Sequence, residues 1–160
     1  MTILCGADLA LNHGSLVDSN GKVLCYYEDG KGMLSGSDDL YAIAQLVSRN
    51  TPARSTVIID FDRKMGTWGN TETSILMTML IAFYGALAQV ARKCEVHFVT
   101  PSLVRYCLGH PETMTKKDLH RAVKEQYNMP DGFPNDKHGD LMDAWLLCQA
   151  WACASKEFQL

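Results

Sequence analysis

Apolar and polar positions alternate in short blocks over the first quarter of the chain and change to a helical rhythm afterwards. Residues 2–8 (TILCGAD) form an apolar run ending in a carboxylate, 14–17 (GSLV) resume it, and 22–27 (KVLCYY) follow an Asp-Ser-Asn-Gly turn signal. Each run is too short for a helix and is bounded by turn formers, which predicts three strands, the last two joined as a hairpin around residues 19–21. A segment opening at Ser35 then carries Asp38 and Asp39 ahead of Leu40, Ile43, Ala44, Leu46 and Val47. That spacing is helical, and the acidic first turn suits the positive end of a helix dipole.

The run 56–61 (TVIIDF) is β-branched and bounded, as a buried strand requires. A long helix over 71–92, a strand over 95–99, a helix from Pro101 through 108, a helix over 113–127 capped by Thr115, and a last helix over 139–155 complete the reading. The order β-β-β-α-β-α-β-α-α-α predicts an α/β protein: a mixed sheet begun by a three-strand meander, with helices packed on it.

Composition narrows this picture without redirecting it. With 160 residues, 47% hydrophobic and 21% charged, and no repeat or low-complexity segment, the expectation is one globular domain spanning 1–160. The longest apolar stretch, 74–90, is interrupted by Thr78, Tyr84, Gly85 and Gln89, so it reads as a packed helix rather than a membrane span. The first residues carry no basic run before an apolar core, so no secretory signal is expected. Six cysteines without a CxxC pair suggest reduced thiols in a cytoplasmic protein, and the five histidines are too dispersed along the chain to suggest zinc. The net charge of −3 argues against indiscriminate nucleic-acid binding, yet eight of the fifteen Lys and Arg residues fall between Arg92 and Lys137. That bias suits either a phosphate-binding face or a solvated helical surface.

Carboxylates supply the candidate chemistry. Asp8 ends the first strand, Asp60 and Asp62 end the VIIDFD strand, and Asp140 and Asp143 open the apolar last helix. A spacing of three puts Asp140 and Asp143 on one helical face, and strand alternation puts Asp60 and Asp62 on one face of the sheet without choosing between them. Such a cluster repels itself unless cations are present, and hard oxygen donors suit Mg²⁺, with Mn²⁺ as a substitute. Two ions about 3.5 to 4 Å apart serve phosphodiester hydrolysis. The loop 62–70, with Arg63, Lys64 and Trp68, is basic, aromatic and glycine-punctuated, which suits substrate contact. Trp68 and Phe133 could stack on exposed bases or serve local packing.

At this point the chain resembles the RuvC-type Holliday-junction resolvases, nucleases of the RNase H-like fold, in their short viral and bacterial forms. Gly6-Ala7-Asp8-Leu9-Ala10-Leu11-Asn12-His13-Gly14 resembles the family's opening strand with its catalytic aspartate. Residues 57–62 are similar to the strand carrying the second acid, and Lys137-His138-Gly139-Asp140-Leu141-Met142-Asp143-Ala144 resembles the closing D-x-x-D-A helix start. Val99 to Arg105 and Lys116-Lys117-Asp118-Leu119 resemble the segment where the family sets basic residues against the scissile phosphate and DNA backbone. The likeness runs in order along nearly the whole chain. It departs in having aspartate where the family's second acid is usually glutamate, and Arg105 where lysine is frequent.

The resemblance implies an endonuclease resolving four-way and related branched DNA by paired nicks, working as a homodimer in a bacterial or virus-infected cell. It implies catalytic roles for Asp8, Asp60, Asp140, Asp143 and Lys116, with Asp60 preferred over Asp62 because it directly follows the apolar VII run. It also implies two Mg²⁺ held by these acids, and DNA contacts from Arg105, Lys116, Lys117, Arg121 and Lys137. The helix at 71–92 becomes the counterpart of the family's dimer helix, its apolar content exceeding one narrow stripe. Proofreading exonucleases of this fold show Asp-x-Glu on the first strand, whereas the residues here are Asp8-Leu9-Ala10. An RNase H-type hybrid nuclease and a catalytically idle branched-DNA-binding module are the alternative readings.

Overall fold

A computed structural model describes residues 2–28, 40–61, 71–129 and 131–158. Three strands, β1 (Leu4–Leu9), β2 (His13–Asp18) and β3 (Val23–Glu28), form an antiparallel meander. The hairpin turns at Gly21, whose φ of 85° is costly for any residue with a side chain. After α1 (Leu40–Asn50), β4 (Thr56–Asp60) adds parallel to the other edge of β1. Beyond α2 (Thr71–Val90), β5 (Glu95–Val99) adds parallel to β4, giving a five-stranded mixed sheet ordered β3-β2-β1-β4-β5. Three further helices follow: α3 (Pro101–Cys107), α4 (Lys116–Gln126) and α5 (Asp140–Phe158). Thr100 and Thr115 cap α3 and α4, their hydroxyls accepting from the amides of Leu103 and Asp118.

Strand alternation divides the interior in two. Cys5, Ala7, Leu9, Leu16, Val57 and Ile59 face α1 and α2, meeting Ile43, Val47, Leu80 and Tyr84. Val17 and Ile58 face α3, α4 and α5, meeting Val104, Leu119, Val123, Leu146 and Leu147. Gly6, Asp8 and Asp60 share this second face by the same alternation. No helix among the described residues is long and apolar enough to cross a membrane.

Candidate functional site

The site begins with a contact that only glycine permits. A Cβ at Gly6 would lie 1.8 Å from the carbonyl oxygen of Ala144, so the backbones of β1 and α5 touch directly. Two residues along β1, Asp8 therefore arrives opposite the first turn of α5, where Asp140 and Asp143 project one turn apart. Asp136 accepts from the amides of Leu141 and Met142, anchoring that turn, and Gly139 makes the bend into it at a φ of 76°. On the far side of β1, Tyr27 donates its hydroxyl to the carbonyl of Ala10 and accepts from the Ala10 amide, holding the chain as it leaves Asp8.

Asp8, Asp140 and Asp143 each offer an oxygen within 4.8 Å of the others. Asp60, at the end of the adjacent parallel strand, lines the same cleft of about 370 Å³ together with His13, Arg105 and Lys116. Withdrawal from water raises the Asp8 carboxyl well above the usual carboxylate range, and the neighbouring charges of Asp143, Asp140 and Asp60 raise it further. A set of oxygen donors that resists its own accumulated negative charge fits a hard divalent cation.

Basic groups sit at the rim. Lys116 Nζ lies 2.7 Å from Asp143 Oδ2 and donates to the carbonyl of His138. Burial draws its pKa down, but the charges of Asp143, Asp8 and Asp140 outweigh this and hold it above the ordinary lysine value. Arg105 donates to the carbonyls of Met114 and Pro101, bracing α3 against the loop before α4 while it lines the cleft. Lys117, Arg121 and Lys137 are exposed, Arg121 lying 3.6 Å from Asp118. Asp62, Arg63, Lys64 and Trp68 lie outside the described residues. Phe133, partly buried, packs edge-on to Trp145 of α5 at a centroid distance of 6.4 Å, a local packing contact at the margin of the core.

Three histidines that looked dispersed along the chain meet here. His13 Nδ1 lies 2.6 Å from Asp140 Oδ2, and His120 Nε2 lies 2.6 Å from Asp143 Oδ1. His138 stacks on His13 at 4.2 Å with its ring tilted by only 10°. The available signals were weak: His13 begins a strand just beyond the first acid, and His138 stands two residues before Asp140.

No protein-family model matches the sequence, and no curated protein matches it. Among solved structures the chain is similar to Thermus thermophilus RuvC, with a TM-score of 0.66 and 13% identity over 98% of this chain and 96% of that one. It is similar also to T. thermophilus RuvC in complex with Holliday junction substrate, at a TM-score of 0.65 and 14% identity, with the same coverage. The fold is therefore RuvC-type, within the RNase H-like class.

Proposed function

We propose that this chain is a metal-dependent endonuclease that resolves four-way and related branched DNA by paired nicks. The observation that carries this reading is the gathering of Asp8, Asp60, Asp140 and Asp143 in one cleft, with Lys116 beside them. Likeness in fold to a protein solved with a Holliday junction supports the choice of substrate.

Asp8, Asp140 and Asp143 would hold Mg²⁺, and Asp60 would complete a site for a second ion. Paired divalent ions supply phosphodiester hydrolysis with an activated water and a neutralised leaving oxygen. The contact of Gly6 with α5 sets the separation of Asp8 from the helical acids. Lys116 keeps its positive charge beside the acids and meets the scissile phosphate, while Lys117, Arg121 and Lys137 take the flanking backbone with sequence-independent contacts. Arg63, Lys64 and Trp68 would contact the DNA, and Asp62 would support the role of Asp60.

Two cuts in a near-twofold substrate call for two sites, and α2 offers the interface. Its outer stripe, Ile75, Met79, Ala82 and Ala86, is exposed and free of charge. Incubation of the protein with an immobile four-way junction, with Mg²⁺ or with EDTA, tests the reading when the cuts are mapped. Symmetric nicks that require Mg²⁺ are expected. Cleavage of an RNA-DNA hybrid in place of the junction would favour an RNase H-type activity, and metal-independent binding without cuts would identify an idle binding module.

A further inference from the structure

Three of the four carboxylate oxygens of the α5 acids meet a basic side chain, and the partners differ in kind. Asp140 presents Oδ2 to His13, and Asp143 presents Oδ1 to His120 and Oδ2 to Lys116. Lys116 is long, flexible and half exposed, so it can hand its oxygen over to an arriving cation. Neither imidazole has that freedom.

His13 is held flat against His138, whose Nε2 faces Glu28 Oε2 at 3.9 Å, and Tyr26 donates to the same Glu28 oxygen. The Ser15 hydroxyl also donates to the Asp140 carbonyl, so the backbone carrying that carboxylate is tied to the same strand as His13. His120 is only 15% exposed and sits beneath Gly139, where a Cβ would come within 2.9 Å of its ring. A neutral imidazole with its N–H on the bonding nitrogen is sufficient for either contact.

We propose that His13 and His120 are positioning residues that set the metal selectivity of this centre. Each imidazole takes a lone pair on one oxygen of an α5 aspartate and holds that oxygen turned toward itself, which sets Asp140 and Asp143 against clasping a cation through both oxygens. Mg²⁺ and Mn²⁺ accept single oxygens in a six-coordinate shell, whereas Ca²⁺ takes six to eight oxygens and readily uses carboxylates through both. The two histidines therefore disfavour Ca²⁺ by withholding the second oxygen.

This inference rests on the acids being a metal centre, and the measurement separates the two ideas. Mn²⁺ is bound to the full chain and followed by electron paramagnetic resonance, then displaced by Mg²⁺ in one titration and by Ca²⁺ in another. His13→Ala and His120→Ala are each expected to raise Ca²⁺ effectiveness relative to Mg²⁺ by about tenfold or more, the scale on which residues supporting metal ligands act. His13→Asn and His120→Gln replace the bonding N–H at nearly the same place and are expected to return the ratio toward that of the unaltered protein. A purely structural role would weaken both metals alike and leave the ratio unmoved, which overturns the selectivity proposal. Unchanged binding of every metal in the Ala variants overturns it equally. If Asp140→Asn with Asp143→Asn holds Mn²⁺ as well as the unaltered protein does, the metal centre itself is refuted and this inference falls with it.

Discussion

Helices α2 and α5 are both long and apolar around most of their circumference, yet they meet opposite fates. α5 is enclosed by β1, β2, β4 and α3, with Leu141, Met142, Ala144, Leu146, Leu147 and Cys148 buried. α2 packs on α1 through Met77, Leu80, Ile81, Tyr84 and Ala88 and leaves Ile75 at 54% and Met79 at 40% exposure. On the neighbouring helix, Tyr41 extends the exposed apolar strip, meeting Phe83 edge-on at 5.9 Å. An apolar circumference therefore marks two different things. In α5 it is consumed inside the chain, so the only polar groups tolerated in its first turn are those with a task. In α2 it is left over, which marks a surface that a partner can cover.

The largest expected effect lies on α5. Asp143→Asn should lower the single-turnover rate by several orders of magnitude while junction binding persists, because binding comes mainly from phosphate contacts. Asp60→Asn should behave likewise, whereas Asp62→Asn should cost at most about a hundredfold. The reverse ranking would place the second acid two residues later.

Next in size are packing changes. Leu146→Ala on α5 should destabilise the fold by about 2 to 5 kcal/mol in denaturant titration, since it empties a fully enclosed position. Ile75→Ala on α2 should cost the monomer less than about 0.5 kcal/mol. A comparable loss at both positions would erase the distinction between the helices.

A smaller, pH-dependent effect follows from Asp8. Burial, then the charges of Asp143, Asp140 and Asp60, raise its carboxyl above the 3.8 of a free side chain. The metal-free fold retains a proton that the unfolded chain releases, so stability should decline as pH rises through the folded value. Mg²⁺ relieves the same repulsion, and its stabilisation in thermal melts should be greater at pH 8 than at pH 5. Equal melting shifts at both values would contradict this.

The mildest change concerns assembly. Sedimentation should give about twice the chain mass of 17.8 kDa for the unaltered protein. Ile75→Asp with Met79→Asp should return it to one chain mass with little loss of folded structure. A monomer that still makes paired symmetric nicks would show that α2 is not the interface.

Much of this architecture is legible in the sequence because it depends on local rules. Short apolar runs bounded by turn formers at 2–8 and 56–61 indicate two strands, and the order of elements through the chain indicates the mixed sheet. The i, i+3 spacing of Asp140 and Asp143 needs no tertiary knowledge to face both the same way. Lys116 entered only by family resemblance, since a lysine in a helix's first turn carries no signal of its own. The histidines were beyond reach for a different reason: His13 and Asp140 are 127 positions apart. The need for glycine at residue 6 is likewise invisible locally, because its cause is a carbonyl on α5. Observed bounds differ from the expected ones by a few residues, as where the cap at Thr115 delays α4 to Lys116.

The direct contact of β1 with α5 has a consequence for the chain during its synthesis. The ribosome releases β1 and β4, with Asp8 and Asp60, well before it reaches α5. Until that helix docks against Gly6, the growing polypeptide lacks half of its acids and the surface that aligns them. A nascent or prematurely terminated copy therefore lacks the assembled acid cluster, even where β1 and β4 have already paired. The acid cluster is completed in a single late step, when the helix seats.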